Sequence, residues 1–211
     1  MSTDYASLIL TLENFAKLSK TRPLSLGEVL ASLDKAAFAL IALILVLPFM
    51  QPIPVGPFSV LGGFTFAALG WQMWRGSAAP ELPDKICQVV MSAKIWGLLV
   101  KVCLKVVGFC RLFTRPRYIF LVTGVLGQKI GGFVFMASGL LMAIPFGVLP
   151  FNNTLPGLAI LFYCVGELEK DGLMVVIAFG WLIATIVYFA LFFFGLYYLG
   201  GEVFNYFRYK A

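Results

Sequence analysis

The chain has 211 residues, 61% of them hydrophobic and only 12% charged, with mean hydropathy +0.94. A soluble domain carries roughly 25% charged residues, so this composition cannot cover a water-exposed surface and excludes an ordinary soluble fold. Sixteen basic against ten acidic side chains give +6, which in a membrane protein points to loops facing a cytoplasm and to anionic lipid. The bases are scattered among apolar runs, so nucleic acid is not an expected partner.

At the start of the chain, Asp4 and Glu13 stand where a cleavable leader would need a basic region and a longer apolar core. Tyr5, Leu8, Ile9, Leu12, Phe15 and Ala16 follow helical spacing and predict an amphipathic helix, on the membrane surface or packed on the protein. Pro23 breaks the chain, and Ser25-Leu-Gly-Glu28 has capping-box spacing for a second short helix to about Lys35. From Ala36 to Leu47 the sequence is wholly apolar. Twelve helical residues reach about 18 Å, well short of a hydrocarbon core of roughly 30 Å. Pro48, Pro52, Pro54, Gly56 and Pro57 then interrupt it, and the apolar run resumes from Phe58 to Trp74, ending at Arg75.

Ile86 to Arg111 is apolar except for Lys94, Lys101 and Lys105, which fall on one narrow helical stripe. That helix either lies in the interface, its ammonium groups reaching anionic lipid heads, or crosses with the stripe facing protein or water. Arg111, Arg115 and Arg117 form a basic loop around Pro116. After Lys129 the earlier plan recurs: an apolar run to Ile144, then Pro145, Gly147, Pro150 and Pro156, then Gly157 to Gly166 and the charged Glu167-Leu-Glu169-Lys170-Asp171. Ile53-Pro54-Val55-Gly56 superposes on Ile144-Pro145-Phe146-Gly147 and brings Gly63 near Gly157, which reads as an internal duplication. Leu173 to Gly201 would extend roughly 44 Å as a helix, ample for a tilted span, with Gly180 and Ala184 suited to close helix contact.

The expected fold is therefore an all-α integral membrane protein with an internal duplication. Its parts are N-terminal amphipathic helices (1–35), a first broken helix pair (36–85), an amphipathic lysine-striped helix and basic loop (86–117), a second broken pair (118–172) and a long C-terminal span (173–211). Irregular backbone survives in hydrocarbon only where protein or a water-filled cavity surrounds it. Two proline breaks in corresponding positions match the discontinuous, re-entrant helices of transporters; surface turns joining ordinary spans are the plainer alternative.

On the first reading, Ser59, Gln72, Arg75, Asn152, Asn153, Thr154, Glu167, Glu169 and Asp171 line a substrate or ion path. On the second, Asn152-Asn153 is a solvated turn and Asp171-Gly172 a plain turn before the last helix. There is no histidine, and Cys87, Cys103, Cys110 and Cys164 show no CxxC spacing, so no metal or cofactor is expected. With no paired-Asp motif and no GxSxG serine either, an enzyme is not expected. Whether the two halves are inverted or parallel depends on the segment between them, and a homodimer would restore pseudo-symmetry in the parallel case.

Leu24-Ser-Leu-Gly-Glu28, Pro52-Ile-Pro-Val-Gly56, Gln72 with Gly76, Pro80-Glu-Leu-Pro83, Ile144-Pro-Phe-Gly147 with Leu155-Pro156, and Glu169-Lys-Asp171-Gly172-Leu173 together resemble the ExoD exopolysaccharide-synthesis family of bacterial membrane proteins. The resemblance covers about residues 24 to 200, and departs where the family tends to read Pro-Trp-Leu-Pro and this chain has Pro80-Glu81-Leu82-Pro83. It implies a multi-pass protein of a bacterial inner (cytoplasmic) membrane, connected with exopolysaccharide production, whose loss brings sensitivity to alkali. Two classes of function follow: a small transporter of an ion or an anionic lipid-linked intermediate, or a scaffold for polysaccharide-synthesis proteins.

Overall fold

The computed structural model describes residues 36–51, 56–81, 112–145 and 149–210, with side chains to 198, and isolated positions between 14 and 28 and between 88 and 109. Pro52, Pro54 and Gly147 lie outside the described residues, as does most of the N-terminal amphipathic segment, where Asn14, Lys17 and Leu18 are helical. The described elements are helical apart from a two-residue antiparallel pairing of β1 (Leu24–Ser25) with β2 (Val90–Met91). Ser25 is extended and paired, as an N-cap residue can be, and Glu28 is helical and meets Arg22 at 3.5 Å; the rest of the expected capping box and its helix to about Lys35 lie outside the described residues.

Helix α1 (Ala36–Val46) tightens into a 3-10 turn at Leu47–Met50, where Pro48 removes a backbone donor. Gly56, at φ +60, then delivers the chain to Pro57, the first residue of α2 (Pro57–Arg75). Proline suits that position because the first helical N–H has no intrahelical partner. Gly76 closes α2 in the left-handed conformation, its N–H bonded to the Met73 carbonyl at 3.0 Å. The second half gives α3 (Gly124–Met142), a turn through Pro145 and Pro150, and α4 (Thr154–Glu169), with Pro156 in its first turn. Helix α3 begins five residues before the expected Lys129, and α5 (Gly172–Lys210) runs nine residues beyond Gly201.

The two hairpins lie side by side in the same orientation. Helices α2 and α3 make the most extensive pairing among the described elements, and they are antiparallel. Gly63 and Gly70 of α2 face Gly139 and Gly132 of α3, so the glycines repeat every seven residues along both helices. A Cβ on Gly70 would lie 2.6 Å from the Gly132 carbonyl oxygen, and one on Gly139 would lie 2.5 Å from that of Gly63. Backbone therefore rests directly on backbone. Helices α1 and α4 are also antiparallel: Gly157 near the start of α4 faces Met50 and Val46 at the end of α1. Both proline turns consequently sit at one end of the bundle, and Phe38, Met73, Gly124 and Glu167 meet at the other.

Phe38, Leu43, Phe66, Leu69, Met73, Phe135, Met142, Ile160 and Tyr163 fill the interior with almost no exposure, while α5 packs along α4. The outer surface is apolar: Phe58, Leu61, Phe64, Trp71, Phe133, Leu140, Ile183, Leu191 and Phe194 are all exposed. Helices Gly124–Ala143 and Gly172–Tyr198 are long and apolar enough to cross a membrane. Among the described residues the close contact expected at Gly180 and Ala184 is not made: both are exposed and nothing lies within 4 Å of a Cβ placed on Gly180.

The same methyl group should thus have opposite effects at two glycines. Gly70→Ala forces α2 and α3 apart and costs about 1–3 kcal/mol by overpacking. Gly180→Ala, in open space on a helix, is neutral or stabilising by up to about 1 kcal/mol. Thermal unfolding of both variants in detergent reads the difference.

Candidate functional site

Two polar centres stand at opposite ends of the bundle. At the turn end the two breaks are bonded together: the Thr154 hydroxyl donates to the Gln51 carbonyl at 2.9 Å, with the Phe49 carbonyl at 3.5 Å. Tyr188 of α5 donates to the Pro150 carbonyl at 2.7 Å and holds the second turn against the last helix. Ser59 is buried in the first turn of α2 and donates to the Gly56 carbonyl at 2.7 Å. Asn152 and Asn153 are both buried rather than solvated, which corrects the open-turn alternative. Asn153, 1% exposed, caps α4 without a side-chain cap bond, and neither its amide nitrogen nor its amide oxygen has a hydrogen-bond partner. Such a group costs roughly 1–3 kcal/mol unless water or an ion reaches it.

The opposite end carries the charges. Asp171, 0% exposed, joins α4 to α5. Its Oδ1 accepts from Arg117 Nε at 3.1 Å and from the Leu173 amide at 3.0 Å, and its Oδ2 accepts from the Arg115 amide at 3.0 Å. The Gly172 amide donates to the Arg117 carbonyl at 2.7 Å, so the basic loop is clasped from both sides. This is more than a plain turn: it is a buried ionic clasp that ties residues 115–117 to the start of α5. Gln72 acts similarly on the first half, its amide nitrogen donating to the Glu81 carbonyl at 3.0 Å while its oxygen accepts from the Glu81 amide at 2.8 Å. Arg75 lies 5.9 Å from the centre of the Trp71 ring, a cation–π distance.

Between these clasps is a cavity of about 120 Å³ lined by Phe38, Met73, Thr123, Gly124, Gln128, Glu167 and Lys170. Gln128 donates to the Ser77 carbonyl at 2.8 Å. Beneath it, the buried Tyr163 hydroxyl donates to the Gly127 carbonyl at 2.9 Å. Glu169 is buried at the same end of α4. Lys94, Lys101 and Lys105 are exposed, and Lys105 borders an apolar groove of about 640 Å³ between Leu47, Phe109, Leu161 and Met174.

The structure brings Gln51 to Thr154, and gathers Glu167, Glu169 and Asp171 at one end. It does not join Ser59 or Asn153 to those acids, because the packed rings of Phe66, Phe135 and Tyr163 lie between. Arg117, Gln128, Tyr163 and Lys170 are partners that the reading of the sequence missed. A tyrosine inside an otherwise apolar helix, with Gly127 and Gly131 one turn apart on another, was the available signal for Tyr163. Among the described residues no group of histidines, cysteines and acids could hold a metal.

The profile described as "Exopolysaccharide synthesis, ExoD" matches residues 8–191. The chain belongs to the ExoD family. Protein ExoD of Rhizobium meliloti (strain 1021) is 32% identical over 185 residues, covering 87% of this chain and 76% of the relative. An uncharacterised Synechocystis protein, slr1875, is 27% identical over 161 residues, covering 76% of this chain and 74% of the relative. No solved structure matches. Membership in ExoD and the two long apolar helices together point to membrane association.

Removing the Asp171 carboxylate leaves Arg117 and two amides without their acceptor. Asp171→Ala should cost about 2–4 kcal/mol, below the range for a fully buried pair because Arg117 reaches solvent. Arg117→Ala should cost less, about 1 kcal/mol, because the amides of Arg115 and Leu173 still hold the carboxylate. Chemical denaturation of the two variants in one detergent checks the order.

Proposed function

We propose that this ExoD-family protein is a small multi-pass transporter of a bacterial inner membrane that moves an ion in support of exopolysaccharide production. The observation that carries this reading is the depth of the two turns. Helix α5 reaches the turns at Tyr188 and then continues, apolar, past Tyr197 and Tyr198. Tyr188 to Tyr198 is ten residues, roughly 15 Å of helix. If the turns lay at the membrane surface, the exposed Leu191, Phe193, Phe194 and Leu196 would stand in water. With Tyr197 and Tyr198 at the interface instead, the turns fall about half-way through a core of roughly 30 Å.

Two re-entrant hairpins in parallel, related by an internal duplication, fit that depth. So does the sequence, which has no charged residue from 36 to 74 or from 130 to 166. The buried, unpartnered amide of Asn153 would then lie near mid-membrane at the start of a helix, where an ion or water can meet it. Arg75, Arg115, Arg117, Lys129 and Lys170 share the opposite end, which the positive-inside rule assigns to the cytoplasm.

A scaffold for a polysaccharide-synthesis complex is the second reading, and the filled interior between the two polar centres favours it. Single cysteines at Ser59 and Asn153, in a cysteine-free background, separate the two. The transport reading expects both to react with a membrane-impermeant thiol reagent, more slowly than a cysteine at Lys170. It also expects Asp171→Asn to lose ion flux in proteoliposomes. No labelling from either side, with no flux, supports the scaffold.

A further inference from the structure

Asn153 opens α4 but makes no side-chain cap bond. The side-chain oxygen of a cap residue takes the amide of the second or third helical residue. Here the second, Leu155, has given its N–H to the Phe151 carbonyl at 3.1 Å, and the third is Pro156, which has none. The Asn153 side chain, 1% exposed, is left with both polar atoms unpartnered. One turn on, Gly157 stands against Met50, Val46 and Met142. Helical spacing therefore puts Asn153 on the face of α4 turned to the ends of α1 and α3.

The neighbouring polar groups decide the sign of what this amide can hold. Other side-chain donors at the turn end are spent on carbonyls: Gln51 on Pro48 at 3.1 Å, Thr154 on Gln51 at 2.9 Å, Ser59 on Gly56 at 2.7 Å and Tyr188 on Pro150 at 2.7 Å. The two N–H bonds of the Asn153 amide are unspent, at the positive end of a sixteen-residue helix. A cation would have to share carbonyls already bonded and approach that positive end. An anion takes the free N–H bonds and is favoured by the same helix end. A second unpartnered donor lies deeper. Ser138 is 0% exposed with no partner for its hydroxyl, and its spacing from Phe135 and Met142 puts it on the face of α3 that meets α4. At the opposite end of the bundle the exposed Arg75, Arg115 and Lys129 raise the local concentration of anions.

We propose that Asn153, at the start of α4, binds a small monovalent anion inside the protein, with Ser138 the next donor inward. This rests on the ion-moving reading for its use and names the ion as an anion. Binding itself stands on the turn geometry.

Chloride against gluconate, in detergent at fixed sodium and ionic strength, tests it. The unfolding temperature should rise saturably with chloride, and the chloride-35 resonance should broaden and sharpen again when bromide is added. Asn153→Asp keeps the side chain's shape and puts a negative charge at the helix start, so it should fold at least as well in gluconate. Its apparent affinity for chloride should fall by about tenfold or more. Equal stability of the unaltered protein in chloride and gluconate overturns the proposal. So does a chloride response that survives in Asn153→Asp, which would place the anion on the basic end. Stabilisation by sodium over N-methylglucamine that grows in Asn153→Asp overturns it in favour of a cation. Chloride flux in proteoliposomes keeps the two readings apart. Binding without flux sinks transport and leaves the site; flux unaltered in Asn153→Asp, with no chloride response in unfolding, sinks the site and leaves transport.

Discussion

Backbone contact between α2 and α3 sets the rest of the structure. In hydrocarbon, helices gain little by hiding apolar side chains from one another, because lipid is equally apolar. What remains is close van der Waals contact, and small residues allow the most of it. Gly63 and Gly70 against Gly139 and Gly132 let two nineteen-residue helices lie backbone to backbone through most of their length. The seven-residue spacing keeps the small positions on one face of each helix. With that seam formed, the second hairpin can only lie parallel to the first.

Much follows from that geometry. The proline turns share an end, and Thr154 can reach Gln51 across them. The charged residues are driven to the other end, where Asp171 gathers Arg117 and the amides of Arg115 and Leu173 around one buried carboxylate. Helix α5 then runs along the outside of the bundle like a ruler, fixed to the clasp at Gly172 and to the second turn at Tyr188. Its apolar continuation past Tyr188 is the feature on which the proposed depth of the turns rests. Among the described residues Asn153 lies at one end and Glu167 at the other, with aromatic packing and the buried Ser138 between.

Several of these features were legible in the chain. Proline and glycine cannot continue a helix, so the breaks near Gly56 and Pro145 announce themselves, and the apolar runs on either side become α1 to α4 with modest shifts at their ends. The first turn of α3 was missed because Gly124, at φ +66, Gly127 and Gln128 break up the apolar pattern that Val125 and Leu126 belong to. The glycine seam was harder to see. Glycine in a helix looks like a defect until its partner backbone is known, and the more familiar small pair at Gly180 and Ala184 turned out to face outward. The acids at 167, 169 and 171 were visible as a cluster, but their roles differ through partners distant in sequence. Arg117 lies 54 positions from Asp171, and Gly127 lies 36 from Tyr163. Parallel placement of the halves was only partly legible: the positive-inside rule argues against the inverted form, in which Arg111, Arg115 and Arg117 would face the side opposite Lys35 and Arg75, but a parallel arrangement departs from the usual inverted-repeat plan.

A cysteine pair at Gln51 and Thr154 addresses the arrangement directly, in membranes and in a background without other cysteines. If the hairpins are parallel with their turns in contact, mild oxidation should cross-link the two positions within one chain, and dilution should not reduce the yield. No intramolecular cross-link, together with ready cross-linking of Gln51 to a cysteine at Lys170, would place the two turns at opposite ends and contradict the account.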